Sequence, residues 1–201
     1  MVSILFKSSV LPGRSNVGLV VLCLAEAMVL LDTTVMNVAL PTIRRDLHIS
    51  LNGLQWVMTA YVLPLGGLLL LCGRLGDLWG RRRLFTTGLV LFSVSSLLGG
   101  VAPGPAFLLA ARTAQGVGAA CLAPTALALV SDLFPPGSSR DRALGVFSAV
   151  AALGFTVGAI AGGVLTELAG WRWVLLVNLP LGIVGVALAG SLPPAVGRRA
   201  V

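Results

Sequence analysis

Charge is scarce in this chain. Only 10% of its 201 residues are Asp, Glu, Lys or Arg, far below the roughly 25% of an ordinary soluble domain. Histidine occurs once, at His48. With that single imidazole, no His-Glu-x-x-His pair and no Gly-x-Ser-x-Gly elbow, an intramembrane hydrolase would lack its nucleophile, base or metal ligands. Cysteine is limited to Cys23, Cys72 and Cys121, an odd number without close metal-type spacing. All three lie in or beside apolar runs and read as small hydrophobes. No filter-like sequence or ring-forming charge pattern marks a channel. Nor does a basic face with interleaved aromatics mark a nucleic-acid binder, so the net charge of +7 needs another explanation.

What the chain has in abundance is apolar surface. Hydrophobic residues make up 57% and the mean hydropathy is +0.99, more than a soluble core of this length could hide. Runs of about 20 apolar residues at 1.5 Å rise each cross a bilayer core near 30 Å thick. Six such runs can be counted, at 17–43, 54–72, 84–101, 107–130, 143–166 and 173–190. The start resembles a signal peptide, with Lys7 and Arg14 before an apolar 17–24 and Ala25-Glu26-Ala27 after it. The apolar character continues through Leu40, beyond the 7 to 15 residues of a secretory core, which argues against cleavage.

The positive charge follows the ends of these runs. With both termini inside, the inner side holds Lys7, Arg14, Arg74, Arg81, Arg82, Arg83, Arg140, Arg142, Arg198 and Arg199, against Arg44, Arg45 and Arg172 outside. Cytoplasmic loops accumulate such an excess, so the reading is a multi-pass protein of the inner (plasma) membrane with cytoplasmic termini. It divides into a cytoplasmic segment at 1–16, a six-helix bundle at 17–190 and the start of a cytoplasmic linker at 191–201.

Two ionisable residues fall inside the apolar runs, Asp32 in the first and Arg112 in the fourth. Each costs about 2.5–3.5 kcal/mol to insert, so each is a functional candidate unless the two only lock helices together. Burial favours a neutral carboxyl and a nearby cation favours the carboxylate. A change in the Asp32–Arg112 distance would therefore change proton affinity, which is what coupling requires. Glu26, six residues earlier, lies about 120° around the helix and is a secondary candidate.

Glycine is patterned. Gly154, Gly158 and Gly162, with Gly163 adjacent, clear one face of the fifth run for close helix packing. Pro64, Pro124 and Pro180 each remove a backbone hydrogen bond inside a run and allow a bend. Trp56, Tyr61, Trp171 and Trp173 lie near the outer ends of the second and sixth runs, where an aromatic belt is expected. Ala39-Leu40-Pro41-Thr42-Ile43 and Leu122-Ala123-Pro124-Thr125-Ala126 echo each other in the first and fourth runs, as a three-plus-three inverted repeat would require.

The stretch Gly73-Arg74-Leu75-Gly76-Asp77-Leu78-Trp79-Gly80-Arg81-Arg82-Arg83 reads as an inner loop. It resembles the motif between helices two and three of the major facilitator superfamily, matched at Gly73, Leu75, Asp77, Gly80, Arg81 and Arg82. Leu78 stands where that motif has Arg. Leu108, Arg112, Gln115, Gly116, Gly118, Ala119 and Ala120 fit the family's fourth-helix motif completely. The segment 31–41, with Asp32 and Asn37, together with Trp171-Arg172-Trp173, Asn178 and Pro180, is similar to the fourteen-helix drug/proton antiporter branch.

The resemblance implies an all-α membrane fold, the N-terminal half of a transporter, and secondary active efflux of hydrophobic or cationic small molecules. It implies a proton as the coupling ion with no other cofactor, and proton-coupling or substrate roles for Asp32, Arg112, Glu26, Asn37 and Gln115. Gly73, Asp77, Gly80, Arg81 and Arg82 would form a conformational latch. Ala159 replaces the proline of the family's antiporter motif, leaving antiport and symport both open. The chain then reads as a fragment whose partners are the bilayer, a small-molecule substrate, and a missing C-terminal half or a second copy. Catalytic and metal-ligating residues are expected to be absent. A non-transporting membrane protein acting only through helix association is the alternative.

Overall fold

A computed structural model describes the backbone of residues 12–193 and side chains from Ser15 onward. Lys7, the side chain of Arg14, Arg198 and Arg199 lie outside the described residues, as do most of 1–16 and 191–201. Within them the chain is helical: α1 (Pro12–Leu47), α2 (Leu51–Trp79), α3 (Arg81–Gly100), α4 (Pro105–Leu133), α5 (Ser138–Ala169), α6 (Trp171–Leu176) and α7 (Asn178–Leu188), ending in a 3₁₀ turn at Ala189–Ser191. Six segments are long and apolar enough to cross a membrane, α6, α7 and the turn together forming the sixth. This is an all-α multi-pass membrane fold.

The helices outrun the apolar runs. α1 has 36 residues, roughly 54 Å at 1.5 Å each, so its ends rise beyond the hydrocarbon, and it carries Pro41 through a continuous helix. The largest difference from the sequence reading concerns 73–83, which is not a loop. Gly73 and Asp77 sit in the last turns of α2, and Arg81 and Arg82 open α3. Only Gly80 interrupts the helices, with φ 96°, a conformation open to glycine and strained for other residues. Its N–H still donates to the Gly76 carbonyl at 3.1 Å and its own carbonyl accepts from Leu84 N–H at 3.2 Å. Gly170, at φ 88°, turns α5 into α6 in the same single-residue manner.

The sixth span is divided because Pro180 has no N–H to donate to the Leu176 carbonyl, and the ladder lapses at Val177. Ser50 caps α2 by accepting from Gly53 N–H at 3.2 Å.

α4 is the most enclosed span, while α2 and α5 bury the smallest shares of their surface. α4 packs against α2 and α3, and α1 packs against α5 and the α6–α7 pair. Exchanging α1 with α4, α2 with α5 and α3 with α6–α7 maps the α1/α5 contact onto the α4/α2 contact. The same exchange maps α3/α4 onto α6–α7/α1, the pattern of two related three-helix units. Small residues set the closeness of these contacts. A Cβ on Gly118 would fall 2.8 Å from the Phe92 nitrogen, and one on Gly162 would fall 2.8 Å from Val35. The glycine face of α5 is therefore a seat for α1, with Gly154 against Leu30, Gly158 against Thr34 and Leu31, and Gly163 at its margin, 4.0 Å from Val38.

Candidate functional site

Four helical segments converge on the carboxylate of Asp32. One helical turn apart on α4, Arg112 and Gln115 share a face, and α3 brings Ser96 beside them. The break at Val177 ends α6 just before Asn178, whose side chain enters the same point. Arg112 Nη1 donates to Asp32 Oδ2 at 2.6 Å and to Gln115 Oε1 at 2.7 Å. Gln115 Nε2 donates to Asp32 Oδ1 and to Ser96 Oγ, both at 2.7 Å. Asn178 Nδ2 lies 3.3 Å from Asp32 Oδ1 and 3.3 Å from Ser96 Oγ. Asp32 is 1% exposed and Arg112 0%.

An ion pair this dry survives only because each charge is also hydrogen-bonded. Arg112 Nε adds a 3.4 Å contact to the Val57 carbonyl, and the Tyr61 ring lies under the guanidinium, 4.3 Å from ring centroid to Cζ. That face-on geometry attracts the cation to the ring. Arg112 Nη2 and the Tyr61 hydroxyl are both buried without a hydrogen-bond partner.

Of the residues singled out in the sequence, Asp32, Arg112 and Gln115 meet. Glu26 is half-buried and makes no hydrogen bond among the described residues. Asn37 is exposed and donates only to the Thr33 carbonyl of its own helix, at 2.9 Å. Ser96, Asn178 and Tyr61 join the site without having been singled out for it. Tyr61 and Trp171 were expected in the aromatic belt, yet both are buried. Trp171 instead donates its indole N–H to Asp46 Oδ2 at 2.9 Å, where Arg172 also pairs at 3.5 Å. Trp56 and Trp173 are exposed, as a belt requires.

A second polar cluster joins the ends of α2, α3 and α4. Arg81 Nη2 pairs with Asp77 Oδ1 and Arg81 Nη1 with Asp132 Oδ1, both at 2.8 Å. All three side chains are partly exposed. Arg82 makes no ion pair among the described residues.

Sequence comparison agrees with the geometry. The Major Facilitator Superfamily family model matches residues 22–199. The chain is 51% identical over 176 residues to the puromycin resistance protein pur8 of Streptomyces alboniger, an alignment covering 88% of this chain and 35% of that protein. It is 48% identical to the cephamycin export protein CmcT of Amycolatopsis lactamdurans, covering 90% of this chain and 37% of that one. Against the multidrug resistance protein Stp of Mycobacterium tuberculosis the identity is 44%, over 77% of this chain and 29% of Stp. The chain thus spans about a third of the length of these relatives. Six membrane-length helices in two related triplets, an acid and a guanidinium paired at their centre, and a family match across nearly the whole chain lead to one assignment: this protein belongs to the major facilitator superfamily.

Proposed function

We propose that the chain forms a six-helix half of a proton-coupled efflux transporter for hydrophobic or cationic small molecules. The observation that carries this reading is the 2.6 Å pair between Arg112 of α4 and Asp32 of α1, sealed from solvent and contacted by Val57 and Tyr61 of α2 and by Asn178 of α7. A proton arriving on Asp32 cancels the negative charge to which Arg112 is bound. The guanidinium then has to find another acceptor or leave its charge unpaired in a low-dielectric interior, and either response repacks the helices that hold it. Loss of the proton restores the pair. Proton affinity and helix arrangement are thereby linked, as coupled transport requires.

Transport also needs a pathway, and superfamily transporters form theirs between repeated bundles. The outward apolar faces of α2 and α5 support a second six-helix bundle as partner, supplied by further chain or by a second copy. The proton is the only coupling species in this reading, with no bound cofactor, and Arg81 with Asp77 and Asp132 acts as the latch at one end of the bundle. The arginine-rich ends of α2, α3 and α5 face the cytoplasm of the plasma membrane.

The test is export from inverted membrane vesicles. The chain is supplied with a second bundle, taken from the C-terminal part of the puromycin resistance relative, and an acid-inside gradient is imposed. Puromycin accumulation that collapses with the gradient and is lost in Asp32→Asn supports the proposal. Accumulation indifferent to both the gradient and the substitution overturns it.

A further inference from the structure

The cysteines that read as unrelated small hydrophobes are not independent. Cys72 on α2 and Cys121 on α4 are separated by 49 residues, yet their sulfurs lie 3.4 Å apart. Both are free thiols and both are buried. Leu84 and Ala120 share their buried hydrophobic cluster, and Leu65, Leu68 and Leu75 pack against it. Cys121 is also pressed from α3: a Cβ on Gly88 would fall 2.8 Å from the Cys121 Cβ. Three packed helices therefore hold the two sulfurs facing each other, and Cys23 belongs to a different cluster.

We propose that Cys72 and Cys121 form a dithiol site for a monosubstituted trivalent arsenical. This hydrophobic cluster demands an uncharged product, because a lone thiolate or an unbalanced cation in such surroundings is costly. Zinc is disfavoured: it wants four ligands, and no cluster of three His, Cys, Asp or Glu residues exists among the described residues. A disulfide requires the sulfurs to close to about 2.05 Å, well inside their 3.4 Å separation. Two bonds about as long as a zinc–thiolate bond, about 2.3 Å each and meeting near a right angle, set the sulfurs about 3.3 Å apart. That is the gap already present.

The step balances without a redox partner. Two S–H bonds and the bonds from arsenic to oxygen break, two As–S bonds form, and the two thiol protons leave with the oxygen as water. Arsenic stays trivalent and the ring compound is neutral. Bound there, it would staple α2 to α4. The site stands independently of the export reading, since it rests on the thiol pair and not on Asp32.

The probe is phenylarsine oxide, a neutral, lipid-permeable compound, applied to the whole chain in lipid nanodiscs. Intact mass should rise by one phenylarsenic group less two hydrogens, and the maleimide-reactive thiols counted after denaturation should fall from three to one. A small dithiol should reverse the adduct where a monothiol does not. Cys72→Ser or Cys121→Ser should raise the half-saturating arsenical concentration roughly 100-fold, the loss expected when the second bond is no longer intramolecular. Cys23→Ser should leave it unchanged. Cys72→Ala and Cys121→Ala, which keep an apolar side chain, repeat the comparison where serine disturbs packing. Tight, dithiol-reversible uptake that survives loss of either sulfur overturns the proposal. So does a folded chain that stays unlabelled while its denatured form reacts.

Discussion

At the scale of single residues, the energetics centre on an acid and a base that have no water to fall back on. Removing one partner leaves the other buried and uncompensated, a loss of about 3–5 kcal/mol in comparable buried pairs. Asp32→Asn and Arg112→Met are each expected to destabilise the bundle in detergent unfolding, and the double variant is expected to lose much less than their sum. Strict additivity would show that the two charges do not depend on each other. Asn178→Leu removes donors to Asp32 and Ser96 and should cost about 0.6–1.7 kcal/mol. Asn37→Ala touches only its own exposed turn and should stay within about 0.5 kcal/mol in the same assay. Asp32 and Arg112 were legible in the sequence because a charge in an apolar run is conspicuous. Ser96 and Asn178 were not, since one hydroxyl or amide among apolar neighbours says nothing about which helix it will face. Tyr61 misled because aromatics near a span's end usually meet the headgroups, whereas here the ring is drawn inward under Arg112.

Among the elements, hydropathy located all six spans but not their ends. It reports which residues tolerate hydrocarbon, while a helix continues wherever its backbone bonds remain satisfied. The arginines after Gly80 therefore extend α3 and do not form a loop. The glycine spacing of α5 was readable, and its partner α1 was not, because a bare face specifies close approach without naming what approaches. The structure grades those glycines. Gly162→Val drives methyl groups into the Val35 backbone and side chain and should cost about 1–3 kcal/mol. Gly163→Ala meets only Val38 at ordinary contact distance and should be neutral or slightly stabilising, as alanine favours helix. Thermal unfolding of the two variants side by side tests the difference, and equal losses would misplace the α1–α5 contact. Gly80→Ala forces a side chain into a positive-φ conformation and should lower stability by roughly 1–3 kcal/mol in the same experiment.

For the molecule as a whole, one end of the bundle gathers Arg74, Arg81, Arg82, Arg83, Arg140 and Arg142, and the other carries Arg44, Arg45 and Arg172. In intact cells an impermeant maleimide should label Arg45→Cys and spare Arg83→Cys, with the native thiols silent because they are buried. The reverse pattern would invert the topology. The Arg81 cluster lies at the arginine-rich end, but its groups are partly exposed, so Arg81→Gln should change unfolding stability by about 0–1 kcal/mol at most. Any larger effect on transport would then reflect motion and not folding. Gly80 and Gly170 also set a mechanical condition. A joint one residue long leaves no slack, so the two helices on either side of it cannot slide past each other along their axes without unwinding a turn. They can only pivot, as two rods on a common pin, and rearrangements of this bundle should appear as rotations of whole hairpins with their axial registers unchanged.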